Sequence, residues 1–222
     1  MREVPGRETD TMEQKEKNRR PLITTILVVV NAVVFLITDL VFFHEQNRIV
    51  YYMALNTELV LNKGEFWRLF TSMFYHFDIE HVMFNMLMLY FVGVIIEPFF
   101  GRIRFFILYF VSGLLADVTS IIYNSLIVGE SSKNVFEAGA SGAVYGLFGA
   151  FAVMLMFLRD ERLKEERRRL PLMIFFLLFG NIFNKSVGHA AHFGGFFAGA
   201  LLGACYCICL RKRQDGKWRT KG

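Results

Sequence analysis

Six apolar runs, most of them close to the length of a bilayer crossing, leave this chain few ways to fold. They occupy residues 22–43, 81–100, 105–122, 141–158, 170–183 and about 188–210. About 20 residues in helical form cross roughly 30 Å of hydrocarbon, and only the fifth run is clearly short of that. The chain has 222 residues, 54% of them hydrophobic and 16% aromatic, with 25 phenylalanines against four prolines. That balance excludes an ordinary soluble domain of this size. The expectation is an all-α membrane protein with six transmembrane helices.

Charge orients the runs. Residues 1–20 are polar, and no small-residue cleavage site follows the first run, so no signal peptide is expected and the amino terminus stays cytoplasmic. If the six runs alternate, the inner segments are 1–20, 101–104, 159–169 and 211–222, which hold about 20 of the 25 Lys and Arg. The positive-inside rule is met at every inner segment. The expected organisation is a cytoplasmic tail at 1–20, a six-helix domain at 21–210 and a basic cytoplasmic tail at 211–222, in the cell membrane. A net charge of +5 needs no nucleic acid to explain it, and E-R-L-K-E-E-R-R-R suits a solvated inner loop. Cys205, Cys207 and Cys209 alternate at the inner end of the last run, where a reducing cytoplasm disfavours disulfides. They are expected to be packing residues, with lipidation the other possibility.

Residues 138–150 read A-G-A-S-G-A-V-Y-G-L-F-G-A and set one hydroxyl, Ser141, among residues with almost no side chain. Small neighbours allow a base and oxyanion donors to converge on a nucleophile. Gly142, Gly146 and Ala150 at four-residue spacing equally suit a helix-packing face. The other runs bear on the choice. The second opens H-V-M-F-N, which puts His81 and Asn85 one helical turn apart on one face. Strongly polar groups inside a membrane usually face the bundle interior and mark a site or a relay. The last run opens G-H-A-A-H-F-G-G-F-F-A-G-A-L-L-G, with Gly195, Gly199 and Gly203 at every fourth position. The second, fourth and sixth runs all lead inward, so His81, Asn85, Ser141 and His192 share one depth near the outer end. The glycine faces let the fourth and sixth helices touch almost backbone to backbone, which brings Ser141 within hydrogen-bond reach of His192. Neutral His192 can then act as general base, and His81, Asn85 and the Ser141 N–H can donate to a developing oxyanion.

Outside this group, Trp67 and Arg68 lie in an aromatic-rich outer segment, 47–80, and are expected as interfacial anchors. Residues 124–137 are expected to form a polar, flexible loop. Glu97, at the inner end of the second run, is expected to make an interhelical hydrogen bond.

Together, W-R at Trp67 and Arg68, H-x4-H-x3-N at His76, His81 and Asn85, G-x-S-G at 139–142 and A-H-x-G-G-x3-G at 191–199 resemble the rhomboid intramembrane serine proteases over roughly 21–210. The resemblance implies a six-helix rhomboid-like bundle that uses a Ser-His dyad, with no acidic third member, to cleave transmembrane proteins near the outer surface. No cofactor or metal is expected. Carried over by position, Ser141 is the nucleophile, His192 the base, and His81, Asn85 and the Ser141 amide the oxyanion hole. Tyr145 matches a tyrosine that packs on the catalytic histidine. His76 and Arg68 match supporting positions in the first loop, Gly139 and Gly142 the glycines beside the serine, and Glu97 with Gly101 a structural pair. Two features depart from the family: the charge at Asp117, and a short stretch from 170 to 192, which bears on the shape of the substrate gate.

Other classes fit less of the chain. His76, His81, His189 and His192 include an HxxH spacing suited to a metal, but no HExxH is present and Ser141 with its glycines is left unexplained. A non-enzymatic client-binding relative or a small transporter would be signalled by loss of the serine or histidine, and both are present. The implied partners are transmembrane protein substrates and the lipid bilayer, and the residues name neither a particular substrate nor an oligomeric state. Substrate entry is expected beside the fifth run, where bulky Phe175, Phe176 and Phe179 replace glycine and Phe84 of the second run lies opposite.

Overall fold

A computed structural model describes residues 20–158, 160–182 and 188–219. Nearly all of the expected 1–20 tail lies outside the described residues, as do the side chains of Phe176 and Phe179. The described residues form helices joined by turns and short irregular segments, with one isolated antiparallel bridge between Leu55 and Glu137. In chain order the helices are α1 Leu22–Leu36, α2 Gln46–Met53, α3 Thr57–Lys63, α4 Arg68–Thr71, α5 Ile79–Phe100, α6 Arg102–Tyr123, α7 Ser141–Phe157, α8 Lys164–Ile182 and α9 His189–Arg219. Wider turns extend α1 through Ile37–Val41 and α6 through Asn124–Val128.

Among the described residues, four segments are long and apolar enough to cross a membrane: Leu22–Asp39, Ile79–Phe100, Arg102–Ser132 and His189–Arg211. The other two expected spans differ in kind. α7 is apolar but only 17 residues long, and α8 begins with the charged K-E-E-R-R-R before its apolar half. α7 stops at Leu158, where the chain turns extended and the Arg167 guanidinium donates to the carbonyls of Leu155 and Leu158. These are carbonyls that the end of a helix leaves without an intrahelical donor.

The core forms around α7, whose Leu147, Ala150, Phe151 and Met154 are fully buried. α7 packs most extensively on α9, and both pack on α6. A Cβ at Gly199 would run into the backbone of Gly146, one at Gly195 would meet the carbonyl of Gly142, and one at Gly203 would lie 2.7 Å from the Ala150 Cα. The two four-residue repeats are therefore in register along one seam. α6 keys into the same place, with Ser112 against Gly146 and Ala116 against Gly142.

α5 and α6 are separated only by Gly101, at φ 85°. Just before that turn, the Glu97 carboxylate accepts from Ile23 N (3.0 Å), Thr24 N (2.8 Å) and Thr24 Oγ1 (2.8 Å). Those two amides belong to the first turn of α1 and have no intrahelical acceptor, so Glu97 is the interhelical bond expected of it and joins α1 to α5.

Three expectations change. Arg68 is no surface anchor, being 0% exposed: its Nε donates to Glu65 Oε2 (2.7 Å), its Nη1 to the Ala54 carbonyl (2.8 Å), and its guanidinium lies over Tyr51. A buried guanidinium has to be paired, and these partners fold 51–68 around it. Trp67 beside it is exposed, as an anchor should be. Residues 124–137 are held in place, because the Asn56 Nδ2 donates to the Lys133 and Val135 carbonyls while Leu55 and Glu137 exchange both backbone hydrogen bonds. The cysteines divide: Cys207 packs inside, whereas Cys205 and Cys209 are exposed.

Candidate active site

Ser141 is the first residue of α7, and the turn before it is fixed by the 54–76 segment. Leu55 pairs with Glu137, the Gly139 N–H donates to the Ser72 carbonyl (2.8 Å), and the Ala140 N–H donates to His76 Nε2 (3.3 Å). Gly139 adopts φ 116°, a region that L side chains rarely enter. A Cβ there would lie 2.6 Å from His81 Nε2 and 3.7 Å from Asn85 Nδ2. Both expected oxyanion donors thus stand against the backbone two residues before the serine. His81 is placed by the Asp78 cap of α5, whose carboxylate accepts from His81 N (2.7 Å), and Asn85 Nδ2 donates to the His81 carbonyl (3.0 Å).

His192 lies in the first turn of α9 and is 8% exposed. Its Nε2 is 2.9 Å from Ser141 Oγ. The Tyr145 ring, one turn along α7, stacks on the imidazole with centroids 4.0 Å apart and planes 10° from parallel. Among the described residues, His192 Nδ1 has no hydrogen-bond partner. A serine hydroxyl that donates to Nε2 requires the ring proton to sit on Nδ1. Among the described residues, the contact that packs on this ring is the Tyr145 stack, and no carboxylate reaches Nδ1.

His76 and His81 meet edge to face with centroids 5.0 Å apart. Burial, then the proximity of His81, lower the His76 pKa to about 3, so it is neutral at physiological pH and accepts from the Ala140 N–H. Among the described residues, no three His, Cys, Asp or Glu side chains converge as a metal site, and His189 is exposed.

This arrangement has known relatives. Residues 63–209 match the family model of the rhomboid domain. The chain belongs to the rhomboid family. It is 34% identical over 158 residues to RHOMBOID-like protein 1 of Arabidopsis thaliana, covering 70% of this chain and 38% of that protein. It is 38% identical over 164 residues to RHOMBOID-like protein 5 of the same plant, covering 71% and 48%. It is 25% identical over 191 residues to Rhomboid protease GluP of Bacillus subtilis (strain 168), covering 84% and 36%. The chain spans less than half the length of these three relatives. Family and apolar helices together make it an integral membrane protein.

In this rhomboid chain all the expected site residues except Arg68 and Gly142 fall on the Ser141 turn or on groups touching it. Arg68 is further out, its side chain tied to Tyr51, Ala54 and Glu65. Gly142 lies in the α7–α9 seam, where Ala116 and Gly195 close on it. Two carboxylates were not foreseen as part of this framework. Asp117 Oδ2 accepts from Ser72 Oγ (2.7 Å). The Glu137 carboxylate accepts from Ser120 Oγ, faces Asn124, and would be 2.7 Å from a Cβ at Gly188, just before α9. Burial pushes the Glu137 carboxyl up, while those two side chains pull it down. The sequence did carry a signal for both, since Asp117, Ser120 and Asn124 fall at helical spacing and Glu137 stands two residues before G-x-S-G.

Proposed function

We propose that this rhomboid-family chain is a serine-type intramembrane endopeptidase, hydrolysing peptide bonds of transmembrane substrates near the outer membrane face through a Ser141–His192 dyad. The 2.9 Å approach of His192 Nε2 to Ser141 Oγ, across a seam where glycine meets glycine, carries the proposal. Ser141 Oγ attacks the scissile carbonyl carbon while its proton passes to His192 Nε2. The negative oxygen of the tetrahedral intermediate accepts from His81, Asn85 and the Ser141 N–H. His192 returns the proton to the departing amine. The same ring then deprotonates a water, which opens the acyl-enzyme and frees Ser141. Neither cofactor nor metal enters these steps.

The topology that suits this chemistry has six crossings, α7 and α8 included, with both termini cytoplasmic in the cell membrane and the protease domain at 21–210 between tails at 1–20 and 211–222. Hydrolysis needs water at Ser141, whereas a substrate helix arrives from lipid, so one side of the bundle must open. α8 is the gate. Its Leu172, Ile174 and Phe175 are all exposed.

A fluorophosphonate probe, which reacts only with an activated serine, and a panel of tagged transmembrane helices test this. Wild type should be labelled and should cleave at least one helix, and Ser141→Ala and His192→Ala should do neither while remaining folded in detergent. Absence of both labelling and cleavage in folded wild type would sink the proposal.

A further inference from the structure

We propose that Asp117 is a positioning residue for the serine turn and acts through Ser72, an inference that rests on the proteolytic role proposed above. Asp117 is a carboxylate in the outer half of α6, where nothing in the Ser141–His192 chemistry uses it. An ionisable group in a span is costly and by default marks a function. Here its contact leads straight to the site. Asp117 Oδ2 accepts from Ser72 Oγ at 2.7 Å, and the carbonyl of that same Ser72, which is 2% exposed, accepts from the Gly139 N–H at 2.8 Å. Gly139 is the φ 116° residue against which His81 and Asn85 stand.

The far end of this chain of contacts is fixed too. Ala116, the neighbour of Asp117, packs into the space at Gly142, so α6 cannot slide against the start of α7. Asp117 therefore holds Ser72 at a set distance from α7, and Ser72 sets the direction of the Gly139 N–H. Without the Asp117 contact, the Ser72 N–H bond to the Arg68 carbonyl (3.0 Å) is left to hold the residue, its carbonyl gains freedom to turn, and the 139–141 backbone that aims the Ser141 N–H drifts. Misplacement of about 1 Å at a reacting centre costs about 100-fold in rate.

The test compares Ser72→Ala, Asp117→Leu, Asp117→Asn and the Ser72→Ala/Asp117→Leu double variant in the full-length protein. Cleavage of a transmembrane helix and amide hydrogen exchange across 137–141 are measured for each. Ser72→Ala and Asp117→Leu should each lower kcat about 10- to 100-fold with KM within about threefold of wild type. Asp117→Asn keeps an acceptor for the hydroxyl and should stay within about threefold of wild type. The double variant should be no worse than the poorer single one, because both remove the same tether. Exchange at 137–141 should rise about tenfold in Ser72→Ala and Asp117→Leu, and not in Asp117→Asn. Should Asp117→Leu fail to fold, Ser72→Ala against Asp117→Asn still decides. Wild-type kcat and wild-type exchange in Ser72→Ala, losses that multiply in the double variant, or a lowered melting temperature with kcat intact would each overturn the tether. Exchange is read without any activity: if the protein cleaves nothing yet 137–141 still loosens in these variants, the proteolytic role fails and the tether stands.

Discussion

Gly139 has no room for a side chain. At φ 116° an alanine is strained by about 1–3 kcal/mol, and its Cβ would press on His81 Nε2. Gly139→Ala should therefore lower kcat by more than about tenfold even where the folded protein survives, as steady-state kinetics beside thermal melts would show. Asn85→Ala should slow turnover about 10²- to 10³-fold with little change in KM, because oxyanion contacts form mainly in the transition state. A rise in KM alone would remove Asn85 from that role. His76 makes a pH prediction. Its folded pKa, about 3, lies below the ordinary 6.5, so its contribution to stability is complete above about pH 6.5 and is lost as pH falls toward 3. The loss is about 1.4 kcal/mol per unit in that window. His76→Gln keeps an acceptor for the Ala140 N–H without titrating, and its melting temperature should fall less steeply on acidification than that of wild type. That Ser141, His192, His81 and Asn85 come together was legible in the sequence, because helical spacing and glycine placement are local patterns. Arg68 was not. An arginine beside tryptophan reads as an interfacial pair, and besides nearby Glu65 it donates to the backbone carbonyl of Ala54, 14 positions away.

Among the elements, the seam between α7 and α9 was the most legible, since two four-residue glycine repeats leave little choice of facing surfaces. Gly199→Ala tests it. The new methyl would overlap the Gly146 backbone, and Gly199 is two turns along α9 from His192. Forcing the helices apart should cost about 1–3 kcal/mol of stability and slow cleavage at least tenfold. Equal loss of activity and probe labelling would place the damage at the dyad. The 124–137 segment was misread for the opposite reason. Its composition is polar and turn-rich, but the bonds that fix it come from Leu55 and Asn56, about 80 residues earlier. For α8, Phe84→Ala should speed cleavage of transmembrane substrates while lowering the melting temperature, since Phe84 is only partly buried where it packs on the core. Unchanged cleavage with lowered stability would leave Phe84 out of the gate.

At the scale of the whole molecule, hydropathy identified a membrane protein at once but not the count of crossings. Run length alone does not separate a buried 17-residue helix such as α7, or a half-charged one such as α8, from a full span. Orientation can be tested with single cysteines in a background where Cys205, Cys207 and Cys209 are serine. A membrane-impermeant maleimide should label Lys133→Cys in intact cells and Lys164→Cys only after permeabilisation, and the reverse pattern would invert the proposed topology. The shortness of α7 has a further consequence, for the access of water. At 1.5 Å per residue its 17 residues span about 26 Å, a few ångströms less than a typical hydrocarbon slab. α7 is largely enclosed by α6 and α9, so the surrounding lipid meets the longer helices and not this one. With Ser141 as its first residue, the helix starts beneath the 137–140 turn and the 54–76 segment bonded to it. That cover, and not the thickness of the bilayer, should set how readily water reaches the serine.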